Sequence, residues 1–251
     1  MNPQSHLQIL RTQLLAMSRV SQRALDYSVK GYQLHVDFAC HAITAGDEIV
    51  ERDRRIKNLS RGAVNEGIAN ALDFRFAFAA LSIATALRTI YSAATEIALS
   101  TMCFLEDNQF ERSAVLEKKA QSVNAAMRLC TVALFERDAC YARTVLRNHE
   151  WSVQLFEVGN CEPHSDRGID PQRNFERTIT RGLEEVAKQT RDIADMLLFW
   201  LEGSGTSSAV AMSNMRHLSR IAASTHLEED AALYVQSIRN LNQKASQSFS
   251  C

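Results

Sequence analysis

An apolar ladder that occurs twice, ninety-six positions apart, limits the fold more than any other feature of the chain. The first copy is Ile83, Leu87, Ile90, Ala94 and Ile97; the second is Ile179, Leu183, Val186, Thr190 and Ile193. Each copy steps by four, three, four and three, which holds its side chains on one face of a helix. Both end in Ile-Ala, at Ile97-Ala98 and Ile193-Ala194. The repeat is too long for a solenoid unit and suits two copies of a small helical bundle.

Composition agrees with long helices. The 251 residues include only nine glycines and three prolines, so few breaks are enforced. Apolar residues make up 46%, enough for a core, and no alternating β-branched run suggests a sheet. The expected fold is all-α: two tandem three-helix bundles over residues 1–106 and 113–203, then a joint and a C-terminal helical extension over 204–251.

Along the chain, a first helix spans about Ser5 to Tyr32, on Leu7, Leu10, Leu14, Met17, Leu25, Val29 and Tyr32, with its core face drifting near Val20. A second covers much of Val36 to Ala71, weakened by Gly46, Gly62 and Gly67, with Ile43, Val50, Ile56 and Leu59 as core positions. A third, Asp73 to Met102, carries the first ladder. Leu116, Ala120, Val123, Met127, Cys130 and Leu134 mark a fourth helix. A fifth, Ala139 to Val158, offers Val145, Trp151, Val153 and Phe156. The sixth, Gln172 to Glu202, carries the second ladder and stops at Gly203. Beyond a Gly-Ser joint, Leu227, Ala231, Tyr234, Ile238 and Leu241 are heptad-spaced, so a helical tail must bury an apolar face on the bundle or on another chain.

Several functions are set aside by the residues. The formal charge is −1 and basic residues are spread out, which argues against nucleic-acid binding. No unbroken apolar stretch suggests a membrane span, and the N-terminus lacks the regions of a signal peptide, so the expected location is cytoplasmic and at most peripheral to a membrane. The six cysteines contain no CxxC pair and read as reduced thiols packed as small hydrophobes. Cys161-Glu162-Pro163-His164 lacks a second half-site and reads as a surface loop. No phosphate loop, nucleophile elbow, Ser-His-Asp set or Glu-x-x-His pair is present, so no enzyme is expected.

The chain resembles the PhoU family, regulators of bacterial phosphate uptake built from two three-helix bundles. The resemblance rests on Leu14-Leu15-Ala16-Met17 with Leu25, Val29 and Tyr32, on Asp73-Phe74-Arg75 followed by Leu81, Ile83, Leu87 and Ile90, and on Leu183-Glu184, Ile193-Ala194-Asp195, Phe199 and Gly203. It implies a non-catalytic regulator acting by protein contact on the ATPase of a phosphate ABC transporter and on a sensor histidine kinase, with a homodimer as the expected assembly. The other reading of the same helices is a self-associating scaffold unrelated to phosphate.

The family's signature sets two carboxylates four residues apart on the third helix of each bundle, where oxygen ligands can bind metal. Counted along the ladders, these positions fall on Arg88 and Ser92 and on Glu184 and Lys188. Three of the four acids are absent and two are replaced by cations, which supply no lone pair to a metal. No family-type metal cluster and no cofactor is expected, although Asp53 or Glu150 could still act as ligands. Glu184 and Lys188 read as an ordinary i,i+4 surface ion pair. Arg88 reads as a solvated residue or, alternatively, as a contact for an anion or a partner's carboxylate. Met212 and Met215 could form an adaptable patch for a partner protein.

Overall fold

A computed structural model describes residues 3–65, 70–105, 113–157 and 171–203; the joint, the tail and the candidates Met212 and Met215 lie outside them. Among the described residues there are seven helices and no strand: α1 (Pro3–Gln33), α2 (Asp37–Ala42), α3 (Gly46–Asn65), α4 (Ala71–Leu105), α5 (Ala114–Glu136), α6 (Ala139–Glu157) and α7 (Pro171–Glu202). Helices α1, α3 and α4 pack on one another as the first bundle, and α5, α6 and α7 as the second; both lie within one compact unit, Met1–Gly203.

The two ladder helices also pack on each other, α4 against α7, and α1 leans on α5. Helix α4 therefore has neighbours on two sides, and its buried residues include Phe76, Ala80, Ala84, Tyr91 and Ala93 as well as all five rungs. This explains why α4 is apolar nearly all round. By length and composition it could cross a membrane, yet 67% of its most apolar window is buried within the protein.

Helices α4 and α7 run antiparallel and are pinned at both ends. Phe76 meets Trp200 at 4.6 Å and Phe78 meets Phe199 at 5.7 Å between ring centroids. At the far end Phe104 stacks on Phe175 at 4.2 Å. Arg75 Nε donates to the Trp200 carbonyl at the C-terminal end of α7, where a cation is favoured. Gly203 ends α7 with φ 71°, the left-handed conformation that suits glycine.

In α1 the core face does not drift. Ser18, Ser21 and Ser28 are buried and continue the ladder between Met17 and Tyr32. Each hydroxyl is satisfied: Ser18 with Thr131 of α5, Ser21 with the Leu87 carbonyl, and Ser28 with the Leu25 carbonyl. These small side chains let α1 face both bundles at once.

The expected second helix is two helices. Val36 to Ala71 divides into α2, a turn at 43–45, and α3, which begins at Gly46. A Cβ on Gly31 would stand 2.9 Å from Ala39 Cβ and 3.0 Å from Ala39 N, so the end of α1 approaches α2 too closely for any side chain. The core residues of α3 are Ile49, Asp53, Ile56, Ser60 and Ala63; Val50 is 52% exposed, and Ile43 and Leu59 are only half-buried. The stripe 49, 53, 56, 60, 63 has the same four-three step as the two ladders. Helix α4 starts at Ala71 rather than Asp73, because Asn70 Oδ1 accepts from the Asp73 amide as an N-terminal cap does.

All six heptad residues of α5 are buried, from Leu116 to Leu134, as their spacing requires. In α6 Val145 is buried; Trp151, Val153 and Phe156 lie where no side chain is described. The described cysteines depart from expectation. Only Cys130 is packed inside, whereas Cys40, Cys103 and Cys140 are exposed free thiols.

Candidate functional site

Arg88 and Ser92 are both exposed on the outer side of α4, one turn apart. Arg88 is not simply solvated. Its Nη1 reaches the carboxylate of Asp53 on α3, 3.3 Å from Oδ2. The same oxygen accepts from Lys57 Nζ at 2.7 Å. Asp53 is only 4% exposed, while Lys57 and Arg88 are 29% and 52% exposed, so the cations cover the carboxylate from the solvent side. The other oxygen, Oδ1, is buried and has no hydrogen-bond partner among the described residues.

The local sequence makes this arrangement. Asp53 occupies a rung of α3's core stripe, facing α4, and Lys57 follows it by one turn on the same side. Arg88 sits beside Leu87, a rung of the α4 ladder that is buried. The carboxylate contact that Arg88's chemistry allowed is therefore made within the chain. Ser92 makes no side-chain hydrogen bond among the described residues.

In the second bundle no ion pair joins Glu184 and Lys188 among the described residues. The charge of Glu184 acts instead on Lys119 of α5, a lysine that is buried with its aliphatic stem. Burial lowers the Lys119 pKa, and Glu184 offsets part of that shift. Lys188 is exposed, and its charge falls on Asp192 one turn further along. Burial holds Asp192 and Asp195 above the ordinary carboxylate range, partly countered by Arg191, which stands 3.8 Å from Asp195.

In the first bundle a buried acid is thus met by lysine and arginine from the chain itself; in the second, Glu184 partly offsets the buried Lys119 and Arg191 partly offsets Asp192 and Asp195. A multi-carboxylate metal centre does not fit this donor set. Asp53 Oδ2 is already held by two cations, and Ser92, Lys188 and Arg88 provide no carboxylate. Among the described residues no three His, Cys, Asp or Glu side chains come together. Neither Asp53's burial nor Lys119's is visible in hydropathy; the signal available was the four-three step of α3 with a charge inside it.

The chain matches no family model and no curated protein sequence. Its structure is similar to that of PhoU from Pseudomonas aeruginosa, with a TM-score of 0.72 at 19% identity, covering 80% of this chain and 99% of that one. The fold is that of PhoU. The phosphate transport system regulatory protein PhoU from Streptococcus pneumoniae matches with a TM-score of 0.70 at 15% identity, over 82% of this chain and 100% of its own. The PhoU fold is kept end to end, while of the four positions at which the family resemblance implies acids this chain has cations at two, Arg88 and Lys188, a serine at Ser92 and an acid only at Glu184.

Proposed function

We propose that the protein is a non-catalytic cytoplasmic regulator that acts by docking its helical faces on components of a phosphate uptake system, the transporter ATPase and its sensor histidine kinase. The observation that carries this reading is the fold match over the whole length of two PhoU proteins, one of them described as a phosphate transport system regulatory protein. Such a protein works by differential affinity: it restrains whichever conformation of the partner it binds more tightly. Regulation needs no chemistry at the bundle seams, which is compatible with an Asp53 site closed by Lys57 and Arg88.

In this reading residues 1–106 and 113–203 are two docking halves, residues 204–251 are an addition to the PhoU plan, and the working form is a homodimer. Affinity capture of the full chain from phosphate-starved and phosphate-replete cells tests the proposal. Recovery of the transporter ATPase or the kinase, in amounts that change with phosphate, is the expected result. Failure to recover either component in both states would overturn it.

A further inference from the structure

The seam between α3 and α4 holds a carboxylate that is almost completely buried, with two cations on one of its oxygens and, among the described residues, no hydrogen-bond partner on the other. A buried anion of this kind needs a positive charge close by, because desolvation otherwise disfavours the charged form. Two helices donate that charge here: Lys57 from the same helix as Asp53 and Arg88 from the helix opposite. The arrangement is that of a cation held between two helices by a carboxylate, with the cation supplied covalently by the chain.

We propose that Lys57 and Arg88 stand in for a divalent cation at Asp53, so that the first bundle is closed by its own charges and is insensitive to metal. The two cations leave a hard-cation site latent beneath them. Replacing both by carboxylates would surround Asp53 with oxygen donors contributed by two helices, the ligand type that Mn²⁺ and Mg²⁺ prefer. Oδ1 adds a second oxygen that accepts no hydrogen bond among the described residues. What holds α3 to α4 does not depend on what the protein docks on.

The test compares the full chain with the Lys57→Glu/Arg88→Glu variant, by thermal unfolding and equilibrium dialysis with Mn²⁺ alone. The unaltered chain should show the same Tm in EDTA and in millimolar Mn²⁺. The variant should melt lower in EDTA, regain stability in Mn²⁺, and lose that response when Asp53→Asn is added. A Mn²⁺-dependent Tm in the unaltered chain that disappears with Asp53→Asn would overturn the proposal. So would a folded variant that binds no Mn²⁺. Should the variant fail to fold in either condition, Lys57→Met/Arg88→Met decides the matter. It should melt several degrees lower than the unaltered chain, and Asp53→Asn should restore most of the loss. An unchanged Tm, or no restoration, contradicts the role assigned to the two cations.

Discussion

Gly182 of α7 lies directly against Ile97 of α4: a Cβ at residue 182 would stand 2.7 Å from Ile97 Cγ1 and 2.9 Å from Cδ1. Ile97 is the last rung of the first ladder and is 1% exposed, so its side chain has no open space to move into. Alanine in place of a helical glycine would ordinarily add up to about 1 kcal/mol. Overpacking a tight core costs about 1–3 kcal/mol. Overpacking should win here, and Gly182→Ala should destabilise the protein by about 1 kcal/mol net in urea unfolding. Combined with Ile97→Ala, which opens space at that point, the same substitution should become neutral or favourable, a non-additivity that marks direct contact.

The Phe104–Phe175 stack joins the far ends of the same two helices at 4.2 Å and a 3° interplanar angle. Tyr32 packs on Phe175 from α1, and its hydroxyl accepts the Ser113 amide at the start of α5. A double-mutant cycle of Phe104→Leu and Phe175→Leu should return a coupling of about 0.5–1.5 kcal/mol. Tyr32→Phe should cost about 1 kcal/mol by leaving that amide without its acceptor.

Helix α5 ends at Arg137, whose φ of 57° is left-handed while its amide bonds the Ala133 carbonyl. A side chain in that conformation is strained by about 1 kcal/mol, and glycine is not. Arg137→Gly should therefore raise stability by about 0.5–1 kcal/mol, read as an increased urea midpoint with an unchanged slope.

Asp192 provides the pH-dependent prediction. Burial raises its pKa in the folded protein above the unfolded value of about 3.9, and the Asp195 charge adds to the effect. As pH rises the unfolded chain loses this proton first, so ionisation opposes folding. The cost is fully present above the folded pKa and absent below the unfolded one. Asp192→Asn should thus give a higher Tm at neutral pH, and the gain should vanish as the pH falls to about 3.9 and below. A gain that persists in acid would mean the benefit is not electrostatic.

The long helices were legible because their rungs are apolar: α4, α5 and α7 can be read from Ile, Leu, Val and Met at helical spacing. Helix α3 is only partly legible: Ile56 is core as its pattern predicts, but two of the five rungs, Asp53 and Ser60, look like surface residues and Val50 looks like core. Burial of Asp53 depends on Arg88, thirty-five residues away, and no local pattern carries that information. The three buried serines of α1 raised the same difficulty, because their partners lie on other helices or on backbone carbonyls. The altered family positions were visible in the sequence; what faces them was not. The Glu184–Lys188 spacing suggested an ion pair, but tertiary packing gave Glu184 the buried Lys119 to act on instead.

On the proposed function, this PhoU-fold chain restrains a phosphate-uptake sensor without catalysis of its own. The most direct measurement is the phosphorylation state of the partner kinase's response regulator in phosphate-replete cells with and without the chain. Deletion should raise that phosphorylation, and the full chain supplied in trans should lower it again. Phosphorylation unchanged by deletion would contradict the account.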